Sequence, residues 1–311
     1  MAKVFDGKVF AASKEIILKK EVKALPFTPR LMSIVFVEDK AGDTYTDLKF
    51  EVATRIGIEF DRLNVSLDEP LDDLIKKIQS ASQRPDLHGL LIQKPAKAIW
   101  QQFQPITYNS SPITFPDWWH QLTSQIDLLK DVDCLHPQNL AKVYQATWTL
   151  LPATVKAILY VLLQALDESA LPSIPRNLDA RELLIAVKPF FTGKKISVVG
   201  RSDIVGRPLA AVCSQAGGEV NLLGSIDSLS TTLLSSEIII SATGVANLIT
   251  EALVKPGAVV IDVGYPVGDL DFERVKSVAG FITPVPFGIG PVTVTSLLEN
   301  LVQVVVQKHP R

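Results

Sequence analysis

Short apolar runs rich in β-branched residues alternate along this chain with stretches of helical periodicity. The runs are residues 31–37, 60–65, 87–93, 195–200, 219–223, 237–241, 258–263 and 280–282. The first of them are preceded or followed by helical stretches at 11–25, 44–56 and 71–82. Strands that alternate with helices form parallel sheets through right-handed crossovers. Because 311 residues exceed the usual size of one domain, the predicted fold class is α/β with two α/β domains.

Charge, cysteine and histidine content exclude several classes of protein. The net charge of −2 gives no whole-molecule reason to bind nucleic acid. Cys134 and Cys213 form neither a disulfide framework nor a C-x-x-C pair, and the four histidines are scattered, so no metal site is expected. The N-terminus lacks the apolar core of a signal peptide. The apolar stretch 150–166 is interrupted by Pro152 and Lys156, which favours a buried helix over a membrane span. We therefore expect a cytoplasmic protein.

The segment 198–208, VVGRSDIVGRP, has the features of a phosphate-binding loop. Gly200 and Gly206 would let the backbone approach a pyrophosphate, and the helix that follows would offer free N–H groups. Arg201 and Arg207 add positive charge. The spacing is not G-x-G-x-x-G, so on local grounds an ordinary tight turn with two solvated arginines remains an alternative.

These eleven residues resemble the signature of the bifunctional methylenetetrahydrofolate dehydrogenase/methenyltetrahydrofolate cyclohydrolase family. Its other motifs follow in family order: YTDLK at 45–49, HGLLIQKP at 88–95, KDVD at 130–133, KPGAVVIDVG at 255–264, TPVPFGIGPVT at 283–293 and LLEN at 297–300. The resemblance covers the chain apart from 101–119 and 166–187, which look like extra surface or linker segments. It implies oxidation of methylenetetrahydrofolate with a nicotinamide cofactor, followed by hydrolysis of the methenyl product to formyltetrahydrofolate.

The resemblance also implies an architecture and a cellular role. A folate-binding catalytic domain would span 1–155 together with 293–311, and a Rossmann-type NAD(P)-binding domain would span 156–292. The C-terminal helix would pack back on the N-terminal domain, and both reactions would occur in one cleft between the domains. A homodimer is expected, with a role in one-carbon metabolism and purine biosynthesis.

By resemblance, Lys49 is the acid/base that assists water attack on the methenyl carbon. A lysine can do this near neutral pH only if its pKa is lowered. Gln93 would orient the amine, and Tyr45, four residues before Lys49 on one helix face, would line the folate ring and position Lys49. Without the other motifs, a Tyr/Lys pair at this spacing is more typical of a helix surface.

Further folate contacts are assigned by the same resemblance. Asp133 would accept two N–H groups from the pterin edge, whereas Asp131 more readily suits a solvated acidic turn. Pro291 and Thr293 would bind substrate, in a loop between the two ligands that also contains Gly288 and Gly290.

The expected cofactor is NADP. Its predicted contacts are Gly200, Arg201, Ser202, Val205, Gly206, Ser225, Thr243 and Gly264. Arg201 and Ser225 would hold a ribose phosphate. Asp227 lies where an acid that binds a free ribose hydroxyl is expected, so NAD stays open.

Several residues depart from the family pattern. Gly42 replaces a common serine, Cys134 and Phe287 replace glycines, and the segments 94–97 and 153–155 are altered. Phe287 adds volume beside the expected nicotinamide and folate sites. Two alternatives follow: a catalytically impaired folate or dinucleotide binding protein, or an NAD(P)-dependent dehydrogenase of another substrate.

Overall fold

The structure, a computed structural model, describes residues 2–103, 107–108, 111–166, 179–224 and 229–308. In these ranges the strands are β1 Lys3–Val4, β2 Arg30–Phe36, β3 Glu59–Val65, β4 Gly89–Ile92, β5 Thr107–Tyr108, β6 Ser111–Pro112, β7 Lys195–Val199, β8 Glu219–Leu223, β9 Ile238–Ser241, β10 Val259–Asp262 and β11 Phe281–Ile282. The helices are α1 Gly7–Lys23, α2 Lys40–Ile56, α3 Leu71–Ser82, α4 Lys97–Trp100, α5 Phe115–Thr123, α6 Pro137–Tyr144, α7 Ala153–Leu166, α8 Ala180–Phe191, α9 Gly206–Gln215, α10 Leu229–Ser235, α11 Phe272–Val278 and α12 Ile289–Lys308.

The chain divides into two compact units. The first unit comprises Met1–Ile17 and Lys142–Ser296, and the second comprises Leu18–Ala141 and Leu297–Arg311. These bounds differ from the predicted domain limits, chiefly because the N-terminal residues join the first unit. β1 pairs in parallel with β11, which places Lys3 opposite Phe281. No local sequence pattern predicts a pairing between residues so far apart in the chain.

The first unit contains a parallel sheet in the order β1-β11-β10-β9-β7-β8. β9 and β10 are buried along their whole length, as expected for parallel strands with both faces covered. Because the strands are parallel, their carboxyl ends form one edge. The strand order reverses between β7 and β9, the position at which α/β sheets bind ligands. The apolar stretch around 150–166 forms the buried helix α7, as predicted.

The second unit contains the parallel sheet β3-β2-β4, with β2 buried almost throughout. Leu90 of β4 also bridges in parallel to Asp131. The last part of α12 packs in this unit, as predicted: Asn300 Nδ2 donates to the Val132 carbonyl at 2.9 Å. Among the described helices, α12 alone is long and apolar enough to cross a membrane, and 78% of its most apolar window is buried inside the protein.

Part of the predicted surface segment at 101–119 is a structured element. α5 begins after Thr114, whose hydroxyl accepts the Asp117 N–H at 3.3 Å. Trp118 is fully buried, with its ring centre 5.3 Å from that of Phe36 on β2. The expectation of an irregular surface excursion is therefore wrong for α5, because its aromatic residues complete the core. Of the predicted linker at 166–181, residues 167–178 lie outside the described residues.

Replacement of Asn300 should destabilise the second unit. In Asn300→Ala the buried Val132 carbonyl loses its donor, so the free energy of unfolding should fall by about 1–3 kcal/mol. Urea unfolding followed by tryptophan fluorescence reports this change, because Trp100, Trp118 and Trp119 lie in the second unit. The exposed neighbour Gln307→Ala is the control, and an equal effect of both changes would contradict this role of Asn300.

Candidate active site

In the second unit, Lys49, Tyr45 and Gln93 lie together. The Lys49 Nζ donates to the Gln93 Oε1 at 2.6 Å and lies 4.7 Å from the centre of the Tyr45 ring. Gln93 follows β4 directly, and its own N–H donates to the Ile34 carbonyl of β2 at 2.8 Å. A helix and a strand end thus hold the three predicted catalytic residues in contact.

The burial of Lys49 changes its acid–base chemistry. Its side chain is only 4% exposed. This burial lowers the pKa of Lys49 from 10.5 to about 8, while the negative charge of Asp133 acts in the opposite direction. At pH 7 about one Lys49 side chain in ten is then a neutral amine, a form that can accept a proton.

Asp39 is a site residue that sequence reasoning missed. It caps α2: its Oδ1 accepts the Gly42 N–H at 3.1 Å, and its Oδ2 accepts the Ala96 N–H at 3.1 Å. One buried carboxylate therefore fixes both the start of the helix that carries Lys49 and the segment after Gln93. The cap signal, an aspartate just before the helix, is visible in the sequence. The link to Ala96 is not.

Asp131 holds the loop that presents Asp133. It is fully buried, and its carboxylate accepts the N–H groups of Leu135 at 2.9 Å and His136 at 3.0 Å. Burial raises the pKa of Asp131. The interpretation of Asp131 as a solvated acidic turn is therefore wrong, because its carboxyl group closes the loop. Asp133 is half-buried and close enough to Lys49 to influence its charge.

The residue after Asp133 adopts a conformation that favours glycine. Cys134 has φ +52° in a buried position, although it carries a side chain. A non-glycine residue in this left-handed region costs roughly 1–2 kcal/mol. The backbone around Asp133 thus keeps a glycine-like turn even though the glycine of the family pattern is absent.

In the first unit, Gly200 and Gly206 form the predicted phosphate loop between β7 and α9. Gly200 has φ +116°, and a Cβ there would lie 2.3 Å from the Ala242 carbonyl oxygen. A Cβ on Gly206 would lie 1.9 Å from the Gly200 carbonyl oxygen. The Ser202 hydroxyl accepts the Val205 and Gly206 N–H groups at 3.2 and 3.3 Å, which closes the turn. Only glycines permit this close approach of the loop to the neighbouring backbone, and the binding of a phosphate there stays a prediction.

The two arginines of this loop have different surroundings. Arg207 Nε donates to the Arg201 carbonyl at 3.1 Å and lies 3.3 Å from Asp203. The guanidinium of Arg207 therefore contacts residues of its own loop. The Arg201 side chain lies against Gly224 at the end of β8: a Cβ on Gly224 would be 2.3 Å from its Nε. Ser225 and Asp227, the other residues of the predicted ribose subsite, lie outside the described residues.

Thr243 and Gly264 are held by two buried carboxylates that sequence reasoning did not select. Asp269 Oδ2 accepts the Thr243 N–H at 2.7 Å and its hydroxyl at 2.8 Å. Asp262 Oδ1 accepts the Gly264 N–H at 2.8 Å, and burial raises the pKa of Asp262 to about 6. Asp262 belongs to the KPGAVVIDVG motif, but its backbone partners arise only from the folded loop.

Pro291 and Thr293 belong to the first unit and lie in the opening turns of α12. Their expected position in a loop with Gly288 and Gly290 is correct only for Gly288, because the helix begins at Ile289. Proline is tolerated there, since the first N–H groups of a helix have no intrahelical partner.

The predicted absence of a metal site remains a prediction. Within the described ranges no group of three or more His, Cys, Asp or Glu side chains could hold a metal ion. His88 packs at a strand: its Nδ1 accepts the Arg30 N–H at 3.1 Å, and its ring stacks on Phe27.

Comparison with known proteins identifies the family. Residues 5–108 match the model of the tetrahydrofolate dehydrogenase/cyclohydrolase catalytic domain, and residues 177–309 match that of its NAD(P)-binding domain. The Lactobacillus acidophilus "Bifunctional protein FolD" is 32% identical, with 100% of both chains covered. This chain therefore belongs to the tetrahydrofolate dehydrogenase/cyclohydrolase family, which confirms the resemblance.

Solved structures confirm the fold. The bifunctional FolD methylenetetrahydrofolate dehydrogenase/cyclohydrolase from Campylobacter jejuni has a TM-score of 0.79 at 27% identity, covering 99% of this chain and all of the other. The Trypanosoma brucei enzyme, solved with NADP cofactor and inhibitor, has a TM-score of 0.79 at 25% identity, covering 100% and 99%. The predicted class, two α/β domains of this family, is correct.

Replacement of Lys49 by methionine should stabilise the protein at pH 7. The shift of the Lys49 pKa from 10.5 to about 8 corresponds to a folding penalty of about 3 kcal/mol. Below pH 8 the lysine is protonated in both the folded and unfolded states, so the whole penalty is present. Between pH 8 and 10.5 the folded state releases its proton first, so the penalty shrinks as pH rises.

The free energy of urea unfolding at pH 7 and at pH 9 checks this expectation. Lys49→Met should gain stability at both, and the gain should be smaller at pH 9. The control Lys76→Met, whose side chain is 72% exposed, should change stability by less than about 0.5 kcal/mol. A loss of stability in Lys49→Met at pH 7 would contradict this expectation. It would mean that neighbouring groups fully offset the desolvation penalty of the Lys49 ammonium.

Proposed function

We infer that this chain is a bifunctional enzyme of folate one-carbon metabolism. It oxidises methylenetetrahydrofolate to methenyltetrahydrofolate with NADP and hydrolyses the methenyl product to formyltetrahydrofolate. Family membership supports both activities, and full-length similarity to bifunctional FolD proteins extends over both units. The main observation in support of the hydrolytic activity is the hydrogen bond between buried Lys49 and Gln93.

Lys49 acts as the base of the hydrolytic step. Its neutral amine removes a proton from the water that attacks the methenyl carbon, and the Gln93 carbonyl oxygen fixes the amine by accepting one of its N–H groups. Tyr45 places its ring against the same amine and lines the folate site. Asp133 binds the pterin edge through its carboxylate, and its charge keeps the Lys49 pKa from falling further.

The dehydrogenase step requires positioning and no protein acid or base. A bound nicotinamide cofactor would supply the hydride acceptor. The Gly200–Gly206 turn fits a pyrophosphate, because side chains are excluded there and the N-terminus of α9 adjoins it. Thr243 and Gly264, whose N–H groups are held by Asp269 and Asp262, lie further along the same edge. Arg201 favours NADP, since its guanidinium lies at the end of β8, where a ribose phosphate is expected.

Assembly and location follow the family expectation. We propose a cytoplasmic homodimer that supplies formyl groups for purine biosynthesis and that binds neither nucleic acid nor membrane. Charge supports the absence of nucleic-acid binding, and the burial of α12 is that of a core helix. Size-exclusion chromatography with light scattering tests the dimer.

Lys49→Ala should separate the binding of NADP from the hydrolysis. Loss of the amine should lower the cyclohydrolase kcat by about 10²–10⁴-fold, while affinity for NADPH stays within a factor of two or so. Absorbance of the methenyl compound follows the reaction, and reduced-cofactor fluorescence follows binding. Lys76→Ala is the matched control in the same unit. If Lys49→Ala retained hydrolysis, Lys49 would not have the assigned role. If the wild-type protein bound its ligands without turnover, a catalytically impaired binding protein would be favoured.

The pH profile of hydrolysis should follow the neutral amine of Lys49. Because deprotonation activates the base, kcat should rise with pH and level off above a midpoint near 8. Asp133→Asn removes the charge that raises the Lys49 pKa, so the midpoint should move to lower pH.

The measurement is kcat at saturating substrate, after subtraction of uncatalysed hydrolysis. Asp72→Asn, an exposed change on α3, is the control and should leave the midpoint in place. A midpoint that rises in Asp133→Asn would contradict the assigned electrostatics.

A further inference from the structure

Phe287 combines an unfavourable backbone conformation with an exposed aromatic ring. It lies after β11, in the segment that leads into α12, and has φ +80°. A non-glycine residue in this left-handed region costs roughly 1–2 kcal/mol. Its side chain is nevertheless 50% exposed, so burial of the ring in this unit compensates only part of the cost.

Lys8 covers one face of the Phe287 ring. Its ammonium lies 3.4 Å from the ring centre. The neighbouring Gly7 N–H donates to the Phe287 carbonyl at 3.0 Å, and a Cβ on Gly7 would lie 1.9 Å from the Gly288 oxygen. The start of α1 therefore fixes the backbone and the ring together. An exposed cation–π contact contributes about 0.5–1 kcal/mol, which is less than the backbone cost.

The position of Phe287 along the sheet edge indicates what the ring meets. The predicted phosphate loop follows β7, and Arg201 lies against Gly224 at the end of β8, where the proposed function places the ribose phosphate. The other half of a dinucleotide must then extend in the opposite direction, past β9 and β10 towards β11. β11 is three strands from β7, or about 14 Å at the usual strand spacing.

Exposed apolar side chains continue along this part of the edge. Tyr265 and Val267, after β10, are 44% and 56% exposed, and Phe287 follows at β11. An apolar lining with few polar groups is typical of a site that receives a flat ring. The 50% exposure of Phe287 leaves ring surface for such a contact, and aromatic rings pair in offset or edge-to-face arrangements.

We propose that Phe287 is a specificity-determining residue of this chain, whose ring contacts the nicotinamide half of the bound dinucleotide, with Lys8 as its positioning residue. The inference rests on the proposed use of a nicotinamide dinucleotide. It assigns to Phe287 a binding role, in which the ring contributes affinity that a glycine at this position does not provide.

Two ligands that share the adenosine half separate this contact from the rest of the site. NADPH carries the nicotinamide, whereas adenosine 2′,5′-bisphosphate ends before it. Phe287→Gly should weaken NADPH binding by about 3- to 10-fold, within the range that one aromatic pair contributes, and leave the bisphosphate within about two-fold. Glycine accepts the φ of this position, so the variant should fold. Phe287→Tyr should retain NADPH affinity and Phe287→Leu should lose it, because the contact needs an aromatic ring.

A double-mutant cycle tests Lys8. Lys8→Met alone should weaken NADPH binding less than Phe287→Gly does, and Lys8→Arg should restore it. The double variant should bind NADPH no more weakly than Phe287→Gly, because Lys8 acts only through the ring. Additive losses in the double variant would overturn the assigned role of Lys8.

Three outcomes would overturn the role of Phe287. They are unchanged NADPH affinity in Phe287→Gly, tighter NADPH binding because the ring obstructs the site, and an equal loss for both ligands because the fold is disturbed. These readouts are equilibrium affinities. Absence of folate turnover would therefore contradict the proposed reaction without altering them, and the two failures are distinguishable.

Discussion

The chemistry proposed for this protein depends on the removal of the Lys49 ammonium from water. A solvated lysine holds its proton too tightly to act as a base near neutral pH. The second unit counters this by burying the side chain against the end of β4, where Gln93 supplies one neutral acceptor. The negative charge of Asp133 raises the Lys49 pKa and so limits this decrease. The resulting pKa of about 8 reflects a balance between desolvation and one nearby charge, which is the usual way in which enzymes tune a lysine.

Buried carboxylates fix the loops around both sets of predicted ligand-binding residues. Asp39 and Asp131 accept backbone N–H groups beside Gln93 and Asp133, and Asp262 and Asp269 do the same beside Gly264 and Thr243. The hydrogen bonds are 2.7–3.1 Å long. Each carboxylate loses its hydrogen bonds to water on burial, and backbone N–H donors replace them. The loops are therefore shaped before any ligand arrives, which reduces the ordering cost of binding.

The sequence predicted the secondary-structure elements and the candidate site residues better than it predicted the contacts that hold those residues in place. Alternating apolar runs located α3 and β8 to the residue, because hydrophobic period is a local property. The contact between Lys49 and Gln93 required the family resemblance, since 44 residues separate them. The pairing of β1 with β11 and the backbone partners of Asp131 were missed. Both depend on which distant segments meet, and no residue pattern near either position encodes that.

Cys134 and Phe287 show how this chain departs from its family without losing the local backbone shape. Both stand where the resemblance places a glycine, and both have the positive φ that glycine favours. Strain of this kind persists only where surrounding contacts determine the backbone path. For Phe287 those contacts include the hydrogen bond from Gly7.

The consequence differs between the two positions. Cys134 is 3% exposed, so its added side chain alters packing beneath the Asp133 loop, whereas Phe287 is 50% exposed and alters the surface that a ligand meets. The side chain of Cys134 therefore bears on packing within the second unit, whereas the ring of Phe287 bears on the surface proposed to meet the dinucleotide. The proposed contact would account for the strained backbone at Phe287, because the ring displayed there would add affinity for the ligand.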